Sequence, residues 1–252
     1  GAFLRGLVQR LGVDATFAIG PSRANPWTGE IYDADIGISE GIVRNVRRLG
    51  EEYVGPVAAS LEEATDPGPG PANPWTRAPH VQCSYASGLA EQAAFAHALL
   101  EVRGMLSPEM EKKLVHQYVL ELTAHEVGHT LGLRHNFRGS AILSADELLD
   151  EGKTRTVGQS ASVMDYNPVI IAPEGQKQGD FVPVVLGPYD YWAIEYAYRP
   201  IAGDEKQELA AIASRCADPL LGYSTDEDAM GTYSPLSIDP LANQYDQSTD
   251  PL

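Results

Sequence analysis

Within eleven residues, His125-Glu126-Val127-Gly128-His129-Thr130-Leu131-Gly132-Leu133-Arg134-His135 sets three imidazoles, a carboxylate and a glycine at fixed offsets. The chain holds 6 His among 252 residues. Composition alone would produce this spacing in on the order of one chain in 10⁵, so it needs a physical explanation. On a helix, positions i and i+4 lie one above the other, so His125 and His129 present both rings to one point. Glu126 sits one step round, where its carboxylate can handle the proton of a metal-bound water without being a ligand. Gly132 ends the helix through the left-handed conformation, and the turn brings His135 back as a third nitrogen donor. Three His with one open position are the pattern of catalytic rather than structural zinc. A bare H-E-x-x-H also occurs as a salt-bridged surface pattern; the added glycine and third histidine separate the two readings.

These residues resemble the zinc motif of the metzincin metalloproteases, which also carry a methionine-bearing turn downstream. Ser162-Val163-Met164-Asp165-Tyr166 follows, with Met164 29 residues after His135. The resemblance implies that Met164 is the Met-turn methionine, a hydrophobic floor beneath the metal and not a ligand. It also implies that Tyr166 hydrogen-bonds the oxyanion of the tetrahedral intermediate, as in astacin- and serralysin-like members. An isolated methionine would otherwise read as core. The segments Thr123–Glu126, Arg134–Phe137, Ser162–Pro168, Gly187–Trp192, Asn25–Ile31 and Ala34–Ile36 are similar to a bacterial group of zinc-dependent metzincin-like proteases of largely unassigned substrate. The likeness runs from about residue 15 to about residue 200. Metzincins place several strands and a helix ahead of the hairpin-like segment at 15–38, whereas about fourteen residues precede it here. That fits an excised or incomplete catalytic region.

Composition narrows the function classes. The net charge of −17 argues against nucleic acid and anionic membrane surfaces as partners. No apolar run approaches the ~20 residues needed to span a bilayer. The chain starts at Gly1 without methionine, consistent with a removed leader. By resemblance, the expected location is secreted or periplasmic. Cys83 and Cys216 form either one disulfide or two thiols, and nothing in their spacing brings them together.

Along the chain, residues 15–20 and 30–38 read as strands joined through a Pro/Gly-bearing loop. Ser39 can cap a helix over about 40–53. Residues 64–79 carry Pro67, Pro69, Pro71, Pro74 and Pro79 and read as a surface loop; Val81 to Tyr85 reads as a short strand. Gly88 to Arg103 reads as a buried helix, apolar nearly all round, with His97 in its core. Ser107-Pro108-Glu109 starts a helix running to about Leu133, with Leu114, Tyr118, Leu122, His125 and His129 along one stripe. His116 faces away from that stripe, and His80 is a loop residue. The metzincin resemblance implies that Asn167–Ala172 walls the substrate pocket; its apolar residues read equally as core filling. Pro188 opens a helix with Tyr189, Trp192, Ala193, Tyr196 and Ala197 on one face. Asp204 caps another, with Leu209, Ile212, Ala213 and Cys216 inward. Thr225-Asp226-Glu227-Asp228 is either a calcium-binding cluster or a solvated acidic run.

The expected fold is α+β and metzincin-like. It is a single catalytic domain over 1–252, with a twisted N-terminal sheet and the active-site helix in 1–133. A smaller, mostly helical C-terminal lobe with the Met-turn occupies 134–252, and the substrate cleft is expected between the lobes. The expected function is a zinc-dependent endopeptidase acting on peptides or proteins, with zinc on His125, His129 and His135, Glu126 as general base and Tyr166 at the oxyanion. Two rivals stay open: a zinc hydrolase of a non-peptide amide, and a non-catalytic binding module that keeps the metal site.

Overall fold

Alternating apolar residues in Ile31–Ile38 predict a strand with one buried face, and the computed structural model builds its sheet around that strand. It describes residues 7–11, 18–20, 22–39, 83–229 and 239–249. The expected helix over 40–53 and the proline-rich stretch 64–79 lie outside them. Chain contacts divide the molecule into two compact units, Gly1–Val115 and His116–Leu252.

In the first unit, β4 (Ile31–Ser39) is the central strand. β1 (Leu7–Leu11) runs parallel to it, with Leu7 opposite Asp35. β2 (Ala18–Ile19) and β3 (Ser22–Ala24) run antiparallel to β4. The parallel partner has no local signal in the sequence, since the short Leu7–Leu11 run carries no turn tying it to a strand some twenty residues on. Ala34 and Ile36 supply the buried face of β4. The register slips between Arg23 and Ala24, which face Asp33 and Ile31, so Tyr32 is the extra residue of a bulge. The connecting loop closes where the Asn25 N–H donates to the Glu30 carbonyl (2.8 Å), with Gly29 at φ 72°.

Tyr85 opens helix α1 (Tyr85–Val102) instead of closing a strand. The helix is buried on most of its circumference, through Leu89, Ala90, Ala93, Ala94, His97 and Leu100, as its apolar composition predicts, while Glu91 and Phe95 face outward. His97 is buried as expected, with Nε2 3.9 Å from the Glu111 carboxylate. Helix α2 (Pro108–Thr130) starts where the sequence signals it, the Met110 N–H donating to Ser107 Oγ at 3.2 Å.

The second unit contains α3 (Glu151–Val157), α4 (Pro188–Tyr198) and α5 (Glu205–Ala213), with long irregular segments between them. Asp204 caps α5, accepting from Gln207 N–H at 3.1 Å. Ile212 is buried, but Cys216 is exposed, as are Tyr196 and Ala197 on α4, so the inward stripes are shorter than the spacing suggests. Neither cysteine is in a disulfide. Ile170 joins Leu143 and Leu148 in an apolar cluster, which makes this residue core. Chain mixing helices with a small sheet is α+β, and no helix of the described residues is long and apolar enough to cross a membrane.

Irregular backbone must find hydrogen-bond partners when buried, and here polar side chains supply them. Gln178 accepts from Ala172 N–H (2.9 Å) and donates to the Ile170 carbonyl (3.0 Å). Gln117 on α2 accepts from Phe181 N–H (2.8 Å) and donates to Asp180 (2.6 Å). Asp180 is buried and also accepts from Arg155 Nε (2.7 Å) and Nη2 (2.9 Å). Asp180→Ala would leave the Gln117 amide unsatisfied in the interior. We expect it to destabilise the fold by about 1–3 kcal/mol, read as a lower denaturant midpoint. Arg155→Ala, which takes the cation from the buried Asp180 carboxylate, should cost at least as much.

Candidate metal centre

The last turns of α2 carry His125, Glu126 and His129, and the helix stops as the glycine dictates. Gly132 takes φ 86°, its N–H donates to the His129 carbonyl (3.0 Å), and Leu133 N–H reaches back to the Gly128 carbonyl (3.0 Å). This Schellman closure satisfies two terminal carbonyls and redirects the chain so that His135 returns. Each of the three imidazoles offers a nitrogen, and these nitrogens lie within 4.8 Å of one another, close enough to share one cation. The ring centroids of His125 and His129 are 4.7 Å apart, and those of His129 and His135 are 4.8 Å apart.

The opposite edge of every ring is held. His125 Nδ1 lies 2.7 Å from the Val163 carbonyl, His129 Nδ1 3.1 Å from the Leu133 carbonyl, and His135 Nδ1 2.8 Å from Asp226 Oδ1. Carbonyl and carboxylate oxygens only accept, so each Nδ1 carries the proton and each Nε2 keeps its lone pair. Nε2 of His129 and of His135 is buried with no hydrogen-bond partner among the described residues. Burial, then the charges of His129 and His135, hold His125 well below its ordinary value. Burial and then the His135 charge bring His129 down to about 4. Both rings are therefore neutral near neutral pH, the state a metal requires of them. Three convergent imidazole nitrogens, those of His129 and His135 buried with no hydrogen-bond partner among the described residues, are a donor set that fits zinc.

Glu126 is wholly buried, and neither carboxylate oxygen has a partner among the described residues. Burial alone pushes its carboxyl up to about 7. Tyr166 is also buried; its ring centroid lies 4.9 Å from that of His135 and 5.8 Å from that of His125. Met164 packs with its sulfur directly against Gly128, where any Cβ would overlap it. The sequence-expected residues thus come together, and His116 is exposed on another face of α2.

The turn carrying Met164 is built almost entirely from hydrogen bonds. Asp190, near the start of α4, accepts from Ser162 Oγ (2.7 Å), Val163 N–H (3.0 Å) and Gly187 N–H (3.0 Å). Gly187 lies so close to the Ala161 carbonyl that a side chain there would collide with it. Met164 N–H donates to Ser162 Oγ (3.0 Å), and its carbonyl accepts from Asn136 N–H (2.9 Å). Gly128 and Asp190 have structural duties that spacing alone does not announce, although both lie inside motifs quoted above.

In the sequence Asp226 is one member of an acidic run. In the structure that run is engaged: Asp226 accepts from His135, Arg134 Nη2 donates to both Glu227 carboxylate oxygens (2.8 and 2.8 Å), and Asp228 accepts from Ser224 Oγ (3.1 Å). Burial pushes the Asp226 carboxyl up, but the hydrogen bond and charge of His135 outweigh it and leave it below the ordinary value.

Comparison with curated proteins and with solved structures returns no match. The model of one protein family does match, over residues 107–252, well over half of the chain and the whole of the site. That family is described as Met-zincin, a description that implies a zinc-dependent metallopeptidase and agrees with the histidine cluster and the buried methionine against it. On this evidence the chain belongs to the Met-zincin family.

Proposed function

We propose that the protein is a zinc-dependent endopeptidase whose catalytic machinery lies wholly within His116–Leu252. One observation carries the reading: three imidazoles converge, those of His129 and His135 with a buried nitrogen that has no hydrogen-bond partner among the described residues, and Glu126, next to His125 on the same helix, buries a carboxylate that has none either. His125, His129 and His135 would hold the metal. Zinc, when bound there, supplies Lewis-acid chemistry, lowering the pKa of a water and polarising the scissile carbonyl.

Glu126 takes the proton of the attacking water and passes it to the leaving amine nitrogen. A base with no competing hydrogen bond, in a dry setting, is suited to both transfers. The Tyr166 hydroxyl donates to the carbonyl oxygen as negative charge develops on it. Met164 acts through contact alone, keeping the floor of the site apolar. A non-catalytic metal-binding role would leave the burial of a partnerless Glu126 without purpose, since an unsatisfied carboxyl is costly to bury. The calcium expectation for residues 225–228 is not carried into this reading, because Asp226 and Glu227 already serve His135 and Arg134. We place the substrate among peptides and proteins and the enzyme outside the cytoplasm, both on family resemblance.

Elemental analysis of protein purified without chelator should find one zinc per chain, lost from a variant with His125 and His129 both replaced by Ala. Glu126→Gln should keep the zinc and lose hydrolysis of a peptide library by at least about 10²-fold, the scale of a general base. Retained activity, or loss of metal in that variant, would count against the assignment.

Tyr166→Phe separates catalysis from packing. An oxyanion donor typically contributes ~10²–10³ in rate, so kcat should fall by that factor with KM nearly unchanged. If the phenol only packs, kcat on the zinc-loaded variant should stay within about threefold of the parent, well short of the oxyanion range.

A further inference from the structure

Two successive residues of the metal loop pair with two successive residues near position 226. His135 donates to Asp226, and Arg134 meets Glu227. The backbone follows the same alignment. Phe137 N–H donates to the Ser224 carbonyl (2.8 Å), Ser224 N–H to Asn136 Oδ1 (3.2 Å), and Asn136 Nδ2 to the Gly222 carbonyl (3.0 Å). Asn136 is fully buried, so these bonds are shielded from water. Segment 222–228 is thereby laid along residues 134–137, some ninety positions earlier.

The three ligands are not supported alike. His125 and His129 sit on a helix, whose backbone already sets their direction, and their Nδ1 protons go to main-chain carbonyls. His135 lies beyond the helix end, on irregular chain, and its Nδ1 proton goes to a charged side chain. The carboxylate is the stronger acceptor, raises the basicity of the opposite nitrogen, and fixes the ring plane.

We infer that Asp226 is the positioning residue of the third ligand, and that metal retention and closure of segment 222–228 onto residues 134–137 are one coupled equilibrium. This rests on the reading of His135 as a metal ligand. Asp226 touches neither metal nor substrate; it acts through the His135 ring. The neighbouring Arg134–Glu227 pair is mostly exposed and contributes little by itself. The coupling follows from linkage: a cation that binds only the closed arrangement stabilises it, and closing the segment in advance tightens the cation.

The test uses the full chain and zinc itself, with affinity measured by competition against a chromophoric chelator. Asp226→Ala should bind zinc about 10–100-fold more weakly than the parent, the usual effect of losing such a support. Asp226→Asn keeps an acceptor without the charge and should fall between the two. Glu227→Gln should stay within about threefold of the parent. A merely structural Asp226 would lower the melting midpoint of zinc-free and zinc-loaded chains alike, whereas a positioning role shrinks the zinc-induced rise in midpoint. In the zinc-loaded parent, proton–nitrogen spectra should show His135 protonated at Nδ1 with a strongly deshielded proton, shifted upfield in Asp226→Asn. Should Asp226→Ala fail to fold, the Asn variant and this resonance decide. Parent-like zinc affinity in Asp226→Ala, or a His135 protonated at Nε2 in the loaded parent, would overturn the inference alone. A parent chain that takes up no zinc would sink it together with the proposed function.

Discussion

Everything around the metal centre depends on where three Nδ1 protons go. An imidazole ligates through the nitrogen that carries no proton, and an acceptor for the other nitrogen fixes which one that is and how the ring lies; each acceptor here comes from a different stretch of chain. Leu133 serves His129 from the turn that ends α2, Val163 serves His125 from the methionine turn, and Asp226 serves His135 from a segment ninety residues away. The site is thus the point where the end of a helix, a buried turn and a late irregular segment meet. Each of those pieces is held by its own set of bonds.

The methionine turn shows how such a piece is kept rigid without regular secondary structure. Asp190 accepts three hydrogen bonds at once and joins the start of α4 to Ser162 and Val163. It also supports, at one remove, the carbonyl that orients His125. Two glycines make the packing feasible, Gly128 admitting the Met164 sulfur to the helix surface and Gly187 admitting the Ala161 carbonyl. Losing any of these contacts would disturb the His125 ring without touching it. Asn167 extends the network by donating to the buried Glu121 on α2 at 2.9 Å.

Electrostatics work in the same direction. A carboxyl buried without partners and imidazoles crowded together are both unfavourable arrangements in a metal-free interior, and burial is the leading cause of each shift. A divalent cation relieves both, favouring the unprotonated rings and the ionised acid. Stabilities that break local rules are commonly found at functional sites. Two other buried acids are well supplied, Asp180 with an arginine and an amide and Asp190 with three donors.

Much of the site was legible in the one-dimensional pattern, because its logic is local. Helical periodicity alone sets His125 above His129, a glycine at the right offset ends the helix, and Ser107-Pro108 marks its start. Met164 and Tyr166 came from family likeness, not from spacing, and tertiary packing put them against Gly128 and His135. Where burial depends on a distant partner, local pattern misled: Tyr196 and Cys216 continue apolar stripes yet are exposed, and Tyr85 begins a helix where a strand was expected. The role of Asp226 was hidden for the same reason. An acid in a run of acids looks solvated until the fold sets a histidine 2.8 Å from it. The sequence by itself singled out His125, His129 and His135 as the proposed ligands, since helix spacing and a helix-ending glycine are short-range properties. Their orientation was decided only in three dimensions, because the acceptors that hold two of the three rings lie 38 and 91 residues away.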